Sequence, residues 1–247
     1  QSYTRTSGPW SLGLTINPVL VRAGENGFLR KDTAEVPYGP RSRLVLLALQ
    51  TRAVQTKSPS VSVEPSFTSF ARILGLGTDG RSLRSLRAQM INLSLANVAL
   101  SYRKKEKLSI YQGNIFSELH VNLQADENQR PIWPDEVRFS TDYYESLIQH
   151  ALPIRSEAIH ALRSSARSLD FYVFLAYRLR SLRKPTMITW GSLRTQFSDS
   201  QKGNIDTFKR QMIKTVADVA AVYPSAKIEQ VRGGLKLFPS SSPVKTR

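Results

Sequence analysis

Two sets of polar side chains in this chain combine residue types that can read base edges with the spacing of one helix face. The members are Arg81, Arg84, Ser85 and Asn92 in the first set and Thr207, Arg210 and Lys214 in the second. An arginine fork donates two parallel hydrogen bonds to guanine, and an asparagine amide both donates and accepts on adenine. If each set lies on the outer face of an anchored helix, it has the chemistry to contact the major groove of DNA.

Further cations have the spacing expected of phosphate contacts. Arg87 and Lys209 occupy equivalent positions beside the apolar side of the two predicted helices, and Arg232 lies in a predicted hairpin turn. A second predicted hairpin has a basic tip, made of Arg103, Lys104, Lys105 and Lys107. We expect these side chains to neutralise phosphates, which raises affinity and makes binding depend on salt.

The helices that would carry both sets belong to an internal repeat. Gln89-Met90-Ile91 recurs as Gln211-Met212-Ile213, and the apolar residues ahead of each copy keep the same phase at an offset of 122 residues. Earlier in each copy, residues 67–74 parallel residues 190–197 at an offset of 123. Matching apolar phase on both sides of a shared tripeptide predicts two versions of one folded unit.

Composition narrows the class of protein. The 247 residues carry a formal net charge of +16, and basic residues exceed acidic ones in both halves. Such a surplus predicts attraction to a polyanion, of which nucleic acid is the commonest, and its even distribution indicates that both units bind.

Several classes of protein are excluded or disfavoured. There is no cysteine, which excludes disulfides, cysteine zinc sites and thiol catalysis. The longest purely aliphatic run, Leu44 to Leu49, is far shorter than a membrane span. The chain begins with Gln1 and its first methionine is Met90, so we expect an upstream region to be missing.

Periodicity predicts the elements of the first unit. A helix with Leu44, Leu47 and Ala48 on one face precedes a short strand at residues 62–64, and Ser66 is placed to cap a second helix. The inner face of that helix is predicted to contain Phe67, Phe70, Ile73 and Leu74. A turn, a helix over residues 81–96 and the basic hairpin follow, which is the order of a winged helix.

The second unit repeats this order. The pattern predicts a helix around residues 169–176, a strand at 187–189, helices over 191–197 and 206–222, and a hairpin turning at Arg232-Gly233-Gly234. We therefore predict a mainly helical α+β protein with two winged-helix domains in tandem, over residues 37–134 and 135–247. Residues 1–36 are predicted to be an N-terminal arm or the remnant of an upstream region.

Enzymatic alternatives find little support in the sequence. Residues 75–80 match the Gly-x-Gly-x-x-Gly pattern, but a helical pattern precedes them where a dinucleotide site needs a strand. They also have the glycine spacing of a phosphate-binding loop, yet Arg81 stands where the lysine is required. Tyr143-Tyr144 resembles a nickase nucleophile, but none of the histidines forms a His-x-His pair, and the paired acids 126–127 and 135–136 have no partner cluster.

Several short segments of the chain carry a resemblance to a known family. They comprise residues 38–47, 50–54, 87–90, 151–154, 169–172, 188–190, 196–197, 233–235 and 239–240. In these segments, which span about residues 37–243, the chain resembles the RepA-type plasmid replication initiators of bacteria. The resemblance implies a cytoplasmic, DNA-associated protein without catalytic activity or cofactor that binds repeated sequences in double-stranded origin DNA.

The resemblance also implies partners. It implies local opening of the origin, recruitment of the host initiator and the replicative helicase, and a dimer that becomes a monomer to initiate. A transcriptional repressor or a partition-type adaptor with the same tandem domains is the alternative, and a nickase or an ATPase is a third hypothesis.

Overall fold

The structure is a computed structural model that describes residues 2–7, 10–18, 35–63, 66–104, 107–121, 134–198 and 203–244. The chain divides into two compact units, Gln1–Ala151 and Leu152–Arg247. Both units mix helices and short strands, as predicted, and helical residues outnumber strand residues.

The first unit contains four helices and seven strands among the described residues. In chain order they are β1 (Ser2–Ser7), β2 (Trp10–Pro18), α1 (Gly39–Thr56), β3 (Ser60–Ser62), α2 (Phe67–Ile73), α3 (Gly80–Ser94), β4 (Ala96–Lys104), β5 (Lys107–Asn114), β6 (Phe116–Val121), β7 (Pro134–Phe139) and α4 (Thr141–His150). The second unit contains α5 (Ser156–Leu162), α6 (Ala166–Ser181), β8 (Thr186–Thr189), α7 (Trp190–Phe197), α8 (Ile205–Val222), β9 (Ile228–Val231) and β10 (Gly234–Leu237).

The core of each unit forms where the apolar faces of its helices meet. In the first unit Leu44, Phe70 and Met90 are buried on α1, α2 and α3. The prediction that Ile73 lies on the inner face of α2 is wrong, because its side chain is 51% exposed. Helix α2 ends at this residue and the chain turns at Gly75, with φ of +68°, whereas Leu74 is buried as predicted.

Two tyrosines pack against each other in the core of the second unit. Tyr172 on α6 and Tyr223 after α8 are buried with their rings edge to face, 6.0 Å apart. The Tyr223 hydroxyl donates to the carbonyl oxygen of Ser241 at 2.7 Å and thereby ties down the C-terminal segment. Burial raises the pKa of Tyr223 to about 12.

The internal repeat is present in the packing of the helices. Phe67, Phe70 and Leu74 of the first unit are buried, and so are Trp190, Leu193 and Phe197 at the offset of 123 residues. At the offset of 122 residues the same holds for three positions of α3 and α8, namely Leu86 with Phe208, Met90 with Met212 and Leu93 with Thr215. The shared phase read from the sequence therefore marks equivalent core positions.

Sheet topology extends the repeat. Strand β8 pairs with β10, which pairs with β9, and in the first unit β3 pairs with β7, which pairs with β6. In both copies of the repeat, the strand after the first repeated helix (α1 or α6) thus joins the last strand of the hairpin that closes the copy. The order α1-β3-α2-α3-β6-β7 corresponds to α6-β8-α7-α8-β9-β10.

The basic hairpin differs from its predicted position. Strands β4 and β5, joined between Lys104 and Lys107, belong to a separate antiparallel sheet of order β1-β2-β4-β5. By topology the hairpin equivalent to β9–β10 is β6–β7, so the β4–β5 hairpin is an addition to the repeated unit. Alternating residues identified β4 and β5 as strands, but only backbone pairing shows which sheet they join.

The N-terminal segment is also placed differently from the expected arm. Strand β2 pairs with β4 along nine residues, from Trp10 opposite Lys104 to Pro18 opposite Ala96, and β1 pairs with β2. The described part of residues 1–36 therefore contributes two strands to the added sheet.

The boundary between the two units lies after Ala151 in the chain, which differs from the predicted boundary between residues 134 and 135. Strand β7 completes the sheet of the first unit by pairing with β3 and β6. Helix α4 follows it there, because Tyr143 accepts a 2.6 Å hydrogen bond from the Gln50 amide on α1 and stacks on Phe139.

Candidate functional site

Helix α3 begins at a capped N-terminus that presents the first basic residues. The Asp79 carboxylate accepts from the backbone N–H groups of Arg81 and Ser82, at 3.1 Å and 3.0 Å. A hydrogen bond with the Ser82 side chain is the largest cause that holds the pKa of Asp79 below its usual value. This cap fixes the first turn of α3, on which Arg81 and Arg84 are exposed and Ser85 is half-buried.

Asn92 is a correction to the predicted outer face of α3. Its side chain is only 2% exposed, and its Oδ1 accepts from the backbone N–H of Glu35 at 3.1 Å. The helical wheel places Asn92 in line with Arg81 and Ser85, but the chain leading into α1 covers the last turn of α3. The exposed face of α3 is therefore confined to its N-terminal half.

The repeated glutamine has a structural role in both units. Gln89 Oε1 accepts from the backbone N–H of Tyr38 at the start of α1, at 2.8 Å. Gln211 Oε1 accepts from Nη1 of Arg167 at the start of α6, at 2.9 Å. The repeated glutamine therefore links α1 to α3 in the first unit and α6 to α8 in the second.

Helix α8 presents the second set as predicted from its periodicity. Thr207, Arg210 and Lys214 are all exposed, and their spacing of three and four residues places them in one stripe. The Arg210 guanidinium lies 3.4 Å from the Thr207 hydroxyl, which accepts a hydrogen bond from it. The Asn204 side chain caps the helix by accepting from the backbone N–H of Asp206 at 2.7 Å.

Arg87 and Lys209 lie beside these stripes. Arg87 is half-buried, and burial lowers the pKa of its guanidinium. The Lys209 ammonium forms an ion pair with Asp206 one turn earlier, at 2.9 Å. The prediction of two equivalent positions next to the apolar stripe agrees with these placements.

Arg167 braces the turn between α7 and α8, and sequence reasoning missed it. Its Nε donates to the Phe197 carbonyl at 3.0 Å, and its guanidinium carbon lies 5.8 Å from the centre of the Phe208 ring. Together with Arg194 and Thr207 it lines a cavity of about 200 Å³. No local pattern could have found it, because its partners lie 30 to 44 residues away.

The hairpin cations are at the ends of strands. Arg232 is exposed in the turn between β9 and β10, and the Gly233 carbonyl in that turn accepts from the backbone N–H of Trp190 at 3.1 Å. Arg103 and Lys107 are exposed near the end of the β4–β5 hairpin. Lys105 and the side chain of Lys104 lie outside the described residues.

The described residues offer neither a metal site nor a membrane span. In the described ranges no three histidine, aspartate or glutamate side chains come together in a way that could hold a metal ion. None of the helices described is both long and apolar enough to cross a bilayer.

Solved structures with a similar fold include two of RctB. The crystal structure of RctB domains 2–3 aligns with a TM-score of 0.59 at 10% sequence identity, over 96% of this chain and 88% of that chain. A second, of selenomethionine derivatives of domains 2 and 3 of RctB, aligns with a TM-score of 0.63 at 11% identity, over 99% and 91%. The likeness covers both units and concerns the fold.

The sequence itself matches a protein family. No curated protein matches the chain. The family model described as plasmid encoded RepA protein matches residues 36–192, a span from the residues before α1 into α7 that takes in more than half of the chain. The chain therefore belongs to the RepA family of plasmid replication initiator proteins.

Proposed function

We propose that this protein initiates plasmid replication by binding repeated sequences in double-stranded origin DNA through two winged-helix units. The observation that carries the proposal is the common order of elements in the two units. A helix, a strand, two helices joined by a turn and a hairpin that closes a three-stranded sheet are the parts of a winged helix. In that fold the third helix enters the major groove.

The exposed stripes of α3 and α8 are the proposed reading faces. Arg81, Arg84 and Ser85 serve the first unit, and Thr207, Arg210 and Lys214 serve the second. Arginine paired with the O6 and N7 atoms of guanine supplies the main discrimination between bases, and each such pair contributes about 1–3 kcal/mol. Asn92 is excluded from this role because it is buried and bonded to Glu35.

Phosphate contacts supply much of the affinity in the proposal. Arg87 and Lys209 lie beside the proposed reading faces on α3 and α8, and Arg232 lies at the tip of the second wing. The cations of the β4–β5 hairpin, Arg103, Lys104, Lys105 and Lys107, are proposed to bind phosphate from a sheet that the repeated unit does not need. This arrangement separates positioning by charge from reading by the helices.

The proposal includes the later steps that the family resemblance implies. The protein opens the origin locally, recruits the host initiator and the replicative helicase, and passes from dimer to monomer before initiation. It acts in the bacterial cytoplasm by binding, with no chemical step and no cofactor.

The test starts from DNA that flanks the coding sequence. Footprinting should show protected repeats, and permanganate should modify thymines next to them on supercoiled DNA when the protein is present. The double variant Arg84→Ala/Arg210→Ala serves as the matched control and should lose both signals.

Other outcomes would assign other functions. Protection without thymine modification would point to a repressor or a partition-type adaptor. A covalent tyrosine adduct on DNA, or turnover of ATP, would replace the binding role with an enzymatic one.

A further inference from the structure

The end of α6 and the connection to β8 carry a group of cations that the proposed reading face does not include. Arg180, Arg183 and Lys184 are exposed and Arg178 is half-buried, all within seven consecutive residues. In the described part of this unit, ion pairs join Arg155 to Glu157 and Lys209 to Asp206, and neither involves these cations.

This group lies at the opposite end of the sheet from the wing tip. Arg232 follows Val231, which pairs with Gly234, which in turn pairs with Thr189. At the other end Thr186 pairs with Leu237, and Leu237 pairs with Ile228. Four residues of strand separate the two ends by about 10 Å.

A fifth cation joins the group through the C-terminal segment. The Lys227 carbonyl accepts from the backbone N–H of Phe238 at 3.0 Å, and the backbone N–H of Ser240 donates to the carbonyl of Leu179 at 3.2 Å. Phe238, which contacts Lys227, and Ser240, which contacts the last turn of α6, are only two positions apart in the chain. Lys227 is therefore held close to the end of α6. Lys227 is itself exposed.

An exposed aromatic side chain precedes these charges on α6. Tyr177 is 57% exposed, and it lies one turn before Arg180 on the outer side of α6. An exposed aromatic ring among cations is the arrangement by which proteins hold single strands, because unpaired bases stack on the ring while cations follow the phosphates. The bases of a duplex have no free face for such stacking.

We propose that Tyr177, Arg178, Arg180, Arg183, Lys184 and Lys227 form a site for single-stranded DNA, which we call the α6–β8 surface. The proposal rests on the proposed function, since an initiator that opens an origin generates a single strand. Two DNA-binding surfaces then occupy one small unit. The α8 face and the Arg232 wing bind duplex, and the α6–β8 surface binds an unpaired strand.

The test compares two probes on the full chain by fluorescence anisotropy. The probes are a labelled oligothymidylate of about 30 nucleotides and a duplex of the same length, sized to exceed one binding site. Tyr177→Leu should weaken oligothymidylate binding about tenfold, whereas Tyr177→Phe should retain it, because stacking needs the ring and not the hydroxyl. Duplex affinity should change less than about twofold in both variants.

Charge is tested separately from stacking. The triple variant Arg180→Gln/Arg183→Gln/Lys184→Gln should lower the slope of log K against log salt for oligothymidylate by roughly 2, since each phosphate on a single strand contributes about 0.7. Arg163→Gln, which removes an exposed cation from the end of α5 outside the surface, should leave that slope unchanged.

The outcomes separate this inference from the proposed function. Failure of the wild-type chain to bind oligothymidylate, or equal loss of duplex and single-strand binding in the Tyr177→Leu variant, would overturn the α6–β8 surface. Loss of oligothymidylate binding alone supports it. If the wild-type chain binds oligothymidylate but not the duplex, the reading role of α3 and α8 is overturned instead.

Discussion

Single side chains decide whether a helix face can read DNA. On α8 the arginine at position 210 is exposed beside the Thr207 hydroxyl, and on α3 the exposed arginines are Arg81 and Arg84. Asn92 has the right residue type and the right phase, yet its amide oxygen is already used by the backbone of Glu35. Residue type and spacing are therefore necessary for a reading role, and a free polar group is the remaining condition.

The reading role of the arginines predicts a change in specificity. Arg84→Ala and Arg210→Ala should each weaken binding to the origin repeat by about 1–3 kcal/mol and relax the base preference at nearby positions. Competition assays with single-base variants of the repeat would measure this. Lys209→Ala is the matched control and should weaken binding to all sequences alike; uniform weakening by Arg210→Ala would make that residue a phosphate contact too.

The buried amide predicts an effect on folding. Asn92→Ala should lower the free energy of unfolding by about 1–3 kcal/mol, because the Glu35 N–H loses its acceptor in a partly buried position. Denaturant unfolding would give the value, and the base preference of the folded variant should equal that of the wild type. An altered base preference with unchanged stability would return Asn92 to the reading face.

Elements of the two units are held in place by close backbone approaches. In the second unit Gly234 opens β10 and lies opposite Thr189, where a Cβ would overlap the carbonyl oxygen of Ile188. The turn before it places Arg232 outside, and the Gly233 carbonyl bonds to Trp190 at the start of α7. The position of the β9–β10 hairpin is thus coupled to the start of α7.

Gly234→Ala should therefore separate β10 from β8. Overlap with backbone cannot be relieved by a side-chain rotation, so we expect a loss of about 1–3 kcal/mol or more in the free energy of unfolding. Gly191→Ala on α7 is the matched control, since its Cβ would meet nothing closer than 3.8 Å. The control should leave thermal stability unchanged or raise it slightly, and a similar loss in both variants would contradict the explanation.

Tyr223 predicts a dependence of stability on pH. Its pKa is raised to about 12 from 10.0, chiefly by burial, so the folded state favours the neutral phenol. The associated stability is fully present below pH 10 and is lost as the pH rises toward 12. Denaturant midpoints between pH 9 and pH 12 should fall less steeply in Tyr223→Phe than in the wild type; parallel curves would exclude Tyr223 as the cause.

At the scale of the whole molecule, charge and fold have separate effects. The net charge of +16 attracts any polyanion, and it does not determine which strand or groove is bound. The fold distributes that charge over the outer faces of α3 and α8, two hairpins and the end of α6. Each surface should therefore contribute its own share to the dependence of binding on salt.

The β9–β10 hairpin of the second unit gives the simplest measurement of one such contribution. Arg232→Ala should lower the slope of log K against log salt for duplex DNA by about 0.9, the value expected for one phosphate contact. Titrations at several salt concentrations would show this, with Arg163→Ala as the control. Lys107→Ala should give the same decrease if the added sheet also binds phosphate, and a slope unchanged in both variants would remove the two hairpins from the interface.

The sequence by itself determined most of the helices, most of the strands, the repeat and the family. Those features are local or periodic. The spacing of apolar residues around Gln89 and Gln211, for example, is visible in residues only a few positions apart. Tertiary structure alone decided three matters. It placed β4 and β5 in an added sheet with β1 and β2, assigned β7 and α4 to the first unit, and buried Asn92 under the chain before α1. Each depends on a contact between segments distant in sequence, which periodicity cannot encode, because many partners satisfy the same alternating pattern.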